Sequence, residues 1–199
     1  MEPTAQARYQ SVAGGILLLF CITLLSGCAC LGSSAPPVEV YAPEYSSPAF
    51  AQQQPTADLI RVSKFTPTEA LAVTTMIIRT APNKRETYPN AWWTVHPGFL
   101  VTDSLIRDMR RSGLFRGVFS YRDDTDVRYV LGGTVEQFLE EDGEGAPAAV
   151  VVVNATLLDQ ASRKDPSKGV VFQKVFNERE NMTVKSPQTL AAAMGVALE

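Results

Sequence analysis

Four residues, Leu25-Ser26-Gly27-Cys28, decide how much of this chain is available to fold. They close a short apolar run with small side chains and then a cysteine. This is a lipobox pattern, the point at which a bacterial secretory leader is cut between Gly27 and Cys28 and the new amino-terminal cysteine is acylated. The flanks agree with it. Arg8 supplies a basic start, and Val12 to Leu25 an apolar stretch densest at Ile16-Leu17-Leu18-Leu19-Phe20. That stretch is shorter than the ~20 apolar residues that span a bilayer as a helix. Small residues, not a basic stop-transfer run, come after it. Length therefore argues against the alternative, an uncleaved transmembrane anchor. Residues 1–27 read as a signal peptide. The mature chain is expected to begin at Cys28, outside the cytoplasm, held to a membrane by acyl chains such as palmitate.

The composition of the remainder excludes several functions. The net charge is −3, with no basic excess to neutralise phosphates, so no nucleic-acid partner is expected. The three cysteines, Cys21, Cys28 and Cys30, all lie in or beside the leader. The folded part thus has no thiolate metal site and no disulfide, although its compartment would permit one. The single histidine, His96, would serve as a base only with a nucleophile and an orienting acid beside it, and no nucleophile elbow is present. Zinc sites of the usual types lack ligands. No Gly-rich phosphate loop is present either, because Gly132-Gly133 sits inside a strand pattern and Gly143 and Gly145 in an acidic turn. The chain reads as a non-enzyme with no cofactor and no metal, apart from covalent acyl chains on Cys28.

Residues 28–57 differ in kind from the rest of the mature chain. Pro36, Pro37, Pro43, Pro48 and Pro55 alternate with Ser, Ala and Gln. Such a stretch cannot bury enough surface to offset its ordering entropy, so it reads as a disordered tether with a reach of roughly 30 Å. Residues 58–199 read as one globular domain. Strand patterns cover Asp58–Phe65, Thr74–Arg79, Tyr88–Val95, Val127–Leu139, Ala148–Leu158 and Val170–Glu178. Gly132-Gly133 predicts a bulge or a close backbone approach. Val150-Val151-Val152-Val153 is too apolar for a strand wetted on one face. Of Trp92 and Trp93, opposite strand faces allow only one into the main core. A helix is predicted over Pro97–Ser112, with Val101, Leu105, Ile106 and Met109 on one face. Asp103 and Arg107 stand four apart on the other, and Gly113 is a left-handed stop. A second helix opens at Ser186-Pro187, a good N-cap and N1 pair. The acidic connector Glu140–Pro147 suits a solvated hairpin loop; its spacing does not fit an EF-hand calcium site. The predicted fold is α+β: a mixed, largely antiparallel sheet with two helices packed on one face, preceded by the tether.

Several stretches in this order resemble the ABC-type transport auxiliary lipoproteins, the PqiC-like family. They are Met76-Ile77-Ile78-Arg79, Trp93 with Pro97 and Phe99-Leu100, Ser112-Gly113-Leu114-Phe115 with Val118, Tyr129-Val130-Leu131 with Gly133, Val135 and Phe138, and Leu157-Leu158-Asp159. The likeness covers roughly residues 58–198. Phe172, where a tryptophan is common in the family, and the polar insertion Ser162–Lys168 depart from it. The resemblance implies a non-enzymatic outer-membrane lipoprotein. It would work with an inner-membrane ABC transporter and a periplasmic MCE-domain protein that carries lipids or other hydrophobic molecules. Ala29 stands where an aspartate would retain a lipoprotein at the inner membrane, so the periplasmic face of the outer membrane is the expected location.

Two other readings compete with a docking role. One is an activator of a periplasmic cell-wall synthase, which the long tether would suit. The other is a peptidoglycan-binding structural lipoprotein, with Asp103, Asp108, Arg107 and Arg111 as the binding charges, although such charges are more often a solvated helix face. Arg110, Arg111 and Arg116, with Arg122 and Arg128 nearby in sequence, form a candidate partner surface. Asp123, Asp124 and Asp126 are placed to neutralise it. No apolar pocket is evident from the sequence.

Overall fold

The computed structural model describes residues 36–50, 54–143, 145–162 and 166–199, apart from the side chains of 166 and 167. Signal peptide, lipobox, Cys28 and Cys30 lie outside them.

Strand β7 (Tyr129–Glu141) is the spine of the sheet. One of its edges carries β8 (Ala148–Asp159) antiparallel along its whole length, from Tyr129 opposite Asp159 to Glu141 opposite Ala148. The other edge is shared in succession by three parallel partners. β2 (Thr56–Val62) meets it at Tyr129–Leu131, β3 (Thr66–Pro67) at Thr134–Val135, and β4 (Thr75–Ala81) at Glu140–Glu141. The sheet therefore forks. Beyond β2 lies β6 (Phe115–Ser120), parallel to it. Beyond β4 lies β5 (Lys84–Trp93), antiparallel, and then β1 (Glu39–Tyr41), parallel to β5. On the far side β9 (Val170–Asn181) pairs antiparallel with β8. The sheet is mixed, as predicted, and its long ladders are the antiparallel ones.

Helices α1 (Pro97–Ser112) and α3 (Pro187–Leu198) pack against the sheet face that bears Val151 and Val153. A one-turn helix, α2 (Pro166–Gly169), leads into β9. Local chemistry sets the helix ends. α1 stops at Gly113, whose φ of 63° is left-handed. α3 starts at Ser186, whose hydroxyl accepts from the Thr189 amide.

The core conforms to the apolar pattern. Val150 to Val153 are all buried. Trp93 is buried with its ring edge-on to Phe138 at 5.2 Å, while Trp92 is 42% exposed. Burial of each such ring contributes about 3 kcal/mol. The Gly132-Gly133 pair resolves into a close approach: a Cβ on Gly133 would stand 2.0 Å from the Asn154 carbonyl oxygen. The ladder irregularity comes slightly later, between Val135 and Gln137.

Three features depart from the sequence prediction. β5 starts at Lys84 because Pro82-Asn83 turns β4 directly into it, with Ala81 opposite Lys84. β6 is absent from the predicted strands, because Arg116 and Gly117 interrupt its apolar alternation. The tether is expected to run to Ala57, but from Val38 the chain is already part of the domain. β1 joins by backbone hydrogen bonding to the β5 edge, with Val38 52% and Val40 58% exposed. A segment that docks through its backbone leaves no apolar signature to read.

Candidate functional site

Residues 38–50 form a strap across the helices, and the candidate site is built around it. After β1, the Glu44 backbone lies on α3 at Gly195, where an added Cβ would stand 2.3 Å from the Glu44 carbonyl oxygen. Only a residue without a side chain lets the two backbones approach that closely.

The strap then crosses α1 at Asp108. The Tyr45 hydroxyl and the Ser47 hydroxyl each donate to the Asp108 carboxylate. Arg107 Nε donates to the same carboxylate at 3.0 Å, and its guanidinium lies over the Tyr45 ring, 4.2 Å from the centroid. Arg111 Nη1 donates to Ser47 Oγ at 2.8 Å. Asp108 is thus a four-residue junction. Partial burial pushes its carboxyl up, but the bonds from Arg107, Ser47 and Tyr45 outweigh this and hold it below the ordinary range. Burial, then the bond to Asp108, raises the Tyr45 phenol. The Asp103–Arg107 pairing expected from their spacing is replaced, since Arg107 turns to Asp108 and Tyr45 instead.

Two hollows flank the strap. The first is an open groove of about 340 Å³ between α1, the end of α3 and the sheet; Leu105, Val153, Phe172 and Phe176 supply apolar walls and Tyr45 one rim. The second, about 350 Å³, is lined by Pro48 and Phe50 of the strap together with Met109, Phe115 and Leu198. Leu105 and Asp108 border both. No pocket is evident in the sequence because these walls come from segments distant along the chain.

The predicted arginine surface is divided by these contacts. Arg111 pins the strap. Arg110 Nε donates to the Val118 carbonyl at 3.2 Å, tying α1 to β6. Arg116 is exposed on β6. Asp123 is held below its ordinary range first by the Ser120 amide and hydroxyl, with Arg110 and Arg61 adding to the effect. It therefore offsets part of the basic charge, as its proximity in sequence suggests. Arg128 is bound elsewhere, between Asp58 at 3.1 Å and Asp159 at 3.2 Å.

His96 precedes α1 and stacks on Phe99 at 4.5 Å. Its Nδ1 is buried without a hydrogen-bond partner, and burial, then Lys64, lowers its pKa. Its described contacts are those of a packed ring. In the 140–147 connector, Glu141 binds Arg79 at 2.6 Å and also Arg179, and Asp142 binds Lys185 at 2.6 Å. Glu140 is fully buried beneath Tyr88, whose hydroxyl donates to it. Among the described residues no group of His, Cys, Asp and Glu is arranged to hold a metal ion. No described helix is long and apolar enough to cross a membrane. The arrangement offers apolar contact and a cation-bound carboxylate junction.

A family model described as ABC-type transport auxiliary lipoprotein component matches residues 43–199, so the match begins inside the strap. Among solved structures, a DUF330 protein from Xanthomonas campestris is 22% identical. It superposes with a TM-score of 0.71 over 81% of this chain and 88% of its own. An uncharacterized protein at 12% identity gives 0.60 over 81% of this chain and 92% of its own. These likenesses concern the fold. No curated protein sequence matches the chain.

Proposed function

The chain belongs to the ABC-type transport auxiliary lipoprotein component family, and from that premise we propose that it is the non-catalytic docking subunit of an intermembrane lipid transport system. Acylated at Cys28, it anchors to the periplasmic face of the outer membrane. Its folded domain holds a periplasmic MCE-domain protein that delivers hydrophobic substrate from an inner-membrane ABC transporter. The observation that carries this reading is the family match across nearly the whole described domain, most of the strap included. The lipobox supports the anchor: one acyl chain binds a membrane only marginally, at ~0.8 kcal/mol per buried CH₂, whereas two or three make attachment stable.

The test is affinity capture of the intact lipoprotein from detergent-solubilised membranes. Recovery of an MCE-domain protein together with an ATPase subunit is the expected result. Recovery of a cell-wall synthase without either would replace this reading with the activator role. Cys28→Ala should accumulate as unprocessed precursor, and a correctly cut, membrane-retained variant would remove the anchor from the account.

A further inference from the structure

β9 ends the sheet with twelve residues whose outer edge has no strand partner among the described residues. All but Glu180 are exposed. Wetted edge strands are ordinarily kept short, bent or heavily charged, because their free backbone groups recruit other strands. The run Val170-Val171-Phe172-Gln173-Lys174-Val175-Phe176 has one charge and five large apolar side chains that are 38–52% exposed. Charges gather after it, at Glu178, Arg179 and Glu180.

We propose that β9 pairs antiparallel with the β9 of a second copy of this chain, about a twofold axis at Phe176. The order of side chains selects a second copy, because the strand is complementary to its own reverse. With the axis at Phe176, the two Phe176 rings face each other. Lys174 of each copy stands opposite Glu178 of the other, and Gln173 opposite Arg179; further from the axis, Phe172 stands opposite Glu180. Opposite charges and aromatic pairs at directly facing positions are the contacts that stabilise a strand pair. Neighbouring registers lose the central Phe176 pair. An axis at Lys174 sets two ammonium groups face to face. An axis at Val175 puts Lys174 opposite Phe176 and leaves no opposed charge pair. An axis at Asn177 keeps one opposed charge pair, Lys174 with Glu180, but sets each Phe176 against a Glu178 carboxylate at the centre of the contact.

The same register suits the helix face. Phe172, Phe176 and Glu178 line the apolar groove beside α3, so pairing lays the groove rims of the two copies side by side. The contact is isologous, the same patch on both partners, and closes on itself as a dimer.

Disulfide trapping in native membranes tests this, using the full-length chain with Cys30→Ser to remove the spare thiol. Facing Cα atoms in an antiparallel pair lie about 4.5–5.5 Å apart, within disulfide range. Phe176→Cys should therefore cross-link to itself on oxidation. Gln173→Cys, whose two copies would sit roughly 20 Å apart, should not. In the Phe176→Cys background, Lys174→Glu and Glu178→Lys should each lower the cross-linked fraction about fivefold, and the two together should restore it. Circular dichroism of each purified variant shows that the fold is intact. A Phe176→Cys chain that stays single would overturn the proposal. So would equal cross-linking at residue 173, a disulfide formed to a different protein, or a double charge swap that fails to rescue.

Discussion

At the scale of single residues, two carboxylates respond to pH in opposite directions. Asp108 is pushed up by partial burial but held below its ordinary value of 3.8 by Arg107 and then by the strap's hydroxyls. A depressed acid contributes stability that is complete above its unfolded value and is lost as pH falls through the folded one. The strap should therefore stay docked at neutral pH and loosen on acidification below 3.8. Tyr45→Phe removes one charge-assisted hydrogen bond while keeping the ring under Arg107, and should cost about 1.5 kcal/mol in urea unfolding at pH 7. Asp108→Asn should cost more and abolish the acid-dependent loosening. Unchanged acid sensitivity in that variant would show that another group controls the strap.

Glu140 runs the other way. Burial raises it above 4.5, with the Tyr88 hydroxyl acting in opposition, and its Oε1 has no hydrogen-bond partner. An acid raised in the folded state binds a proton there that the unfolded chain has released. Stability therefore falls as pH rises from 4.5 through the folded value. Glu140→Gln keeps an oxygen for Tyr88 and removes the charge. Melting temperature should then be higher than wild type at pH 8 and nearly equal at pH 4. A variant that is less stable at pH 8 would mean that the carboxylate is stabilised by something other than Tyr88.

At the scale of elements, Gly195 shows how the strap is held. Glycine in a helix interior costs up to about 1 kcal/mol against alanine, so propensity alone favours Gly195→Ala. Geometry opposes it, because the new Cβ meets the Glu44 backbone oxygen at 2.3 Å and neither backbone can swing away as a side chain would. The variant should gain helix stability and lose the strap. The measurement is limited proteolysis, with cleavage in residues 38–50 accelerated at least tenfold while the rest resists. Equal protection of the strap would show that α3 shifts to make room.

The same element marks where sequence legibility ends. Val150–Val153, the Trp92–Trp93 split and both long helices are readable because their signals are local: apolar runs, period, caps and stops. The Pro-rich composition places a boundary before the domain, but twenty residues too late. β1 and β6 are not readable. Glu39–Tyr41 is bound by backbone pairing to residues 91–93, and β6 is interrupted by Arg116-Gly117. Three strands sharing one β7 edge is a long-range arrangement that no window along the chain contains. The site is legible only in part. Arg111 stands out as a surface contact, but its partner is Ser47 of the chain's own tether, a residue whose surrounding composition argues for disorder.

At the scale of the whole molecule, on the proposed Cys28 anchor, docking the strap should set how far the domain can stand from the membrane. On composition alone, residues 28–57 as a flexible coil reach roughly 30 Å, whereas residues 28–37 alone reach about 17 Å. On the proposed Cys28 anchor, the docked strap removes nearly half the tether's reach, so a partner should be met close to the lipid surface unless the strap comes off. Releasing it by Gly195→Ala, or by Tyr45→Ala with Ser47→Ala, should let the domain move outward without altering the anchor. A fluorophore on Val184→Cys, an exposed position in a Cys30→Ser chain, would report this by energy transfer to a headgroup dye in vesicles bearing the acylated protein. Transfer should fall on release and return when residues 38–55 are deleted, since that leaves a tether of about the docked reach, roughly 19 Å. Transfer that is the same in docked and released chains would mean that the domain itself rests on the membrane, and that tether length does not set its height.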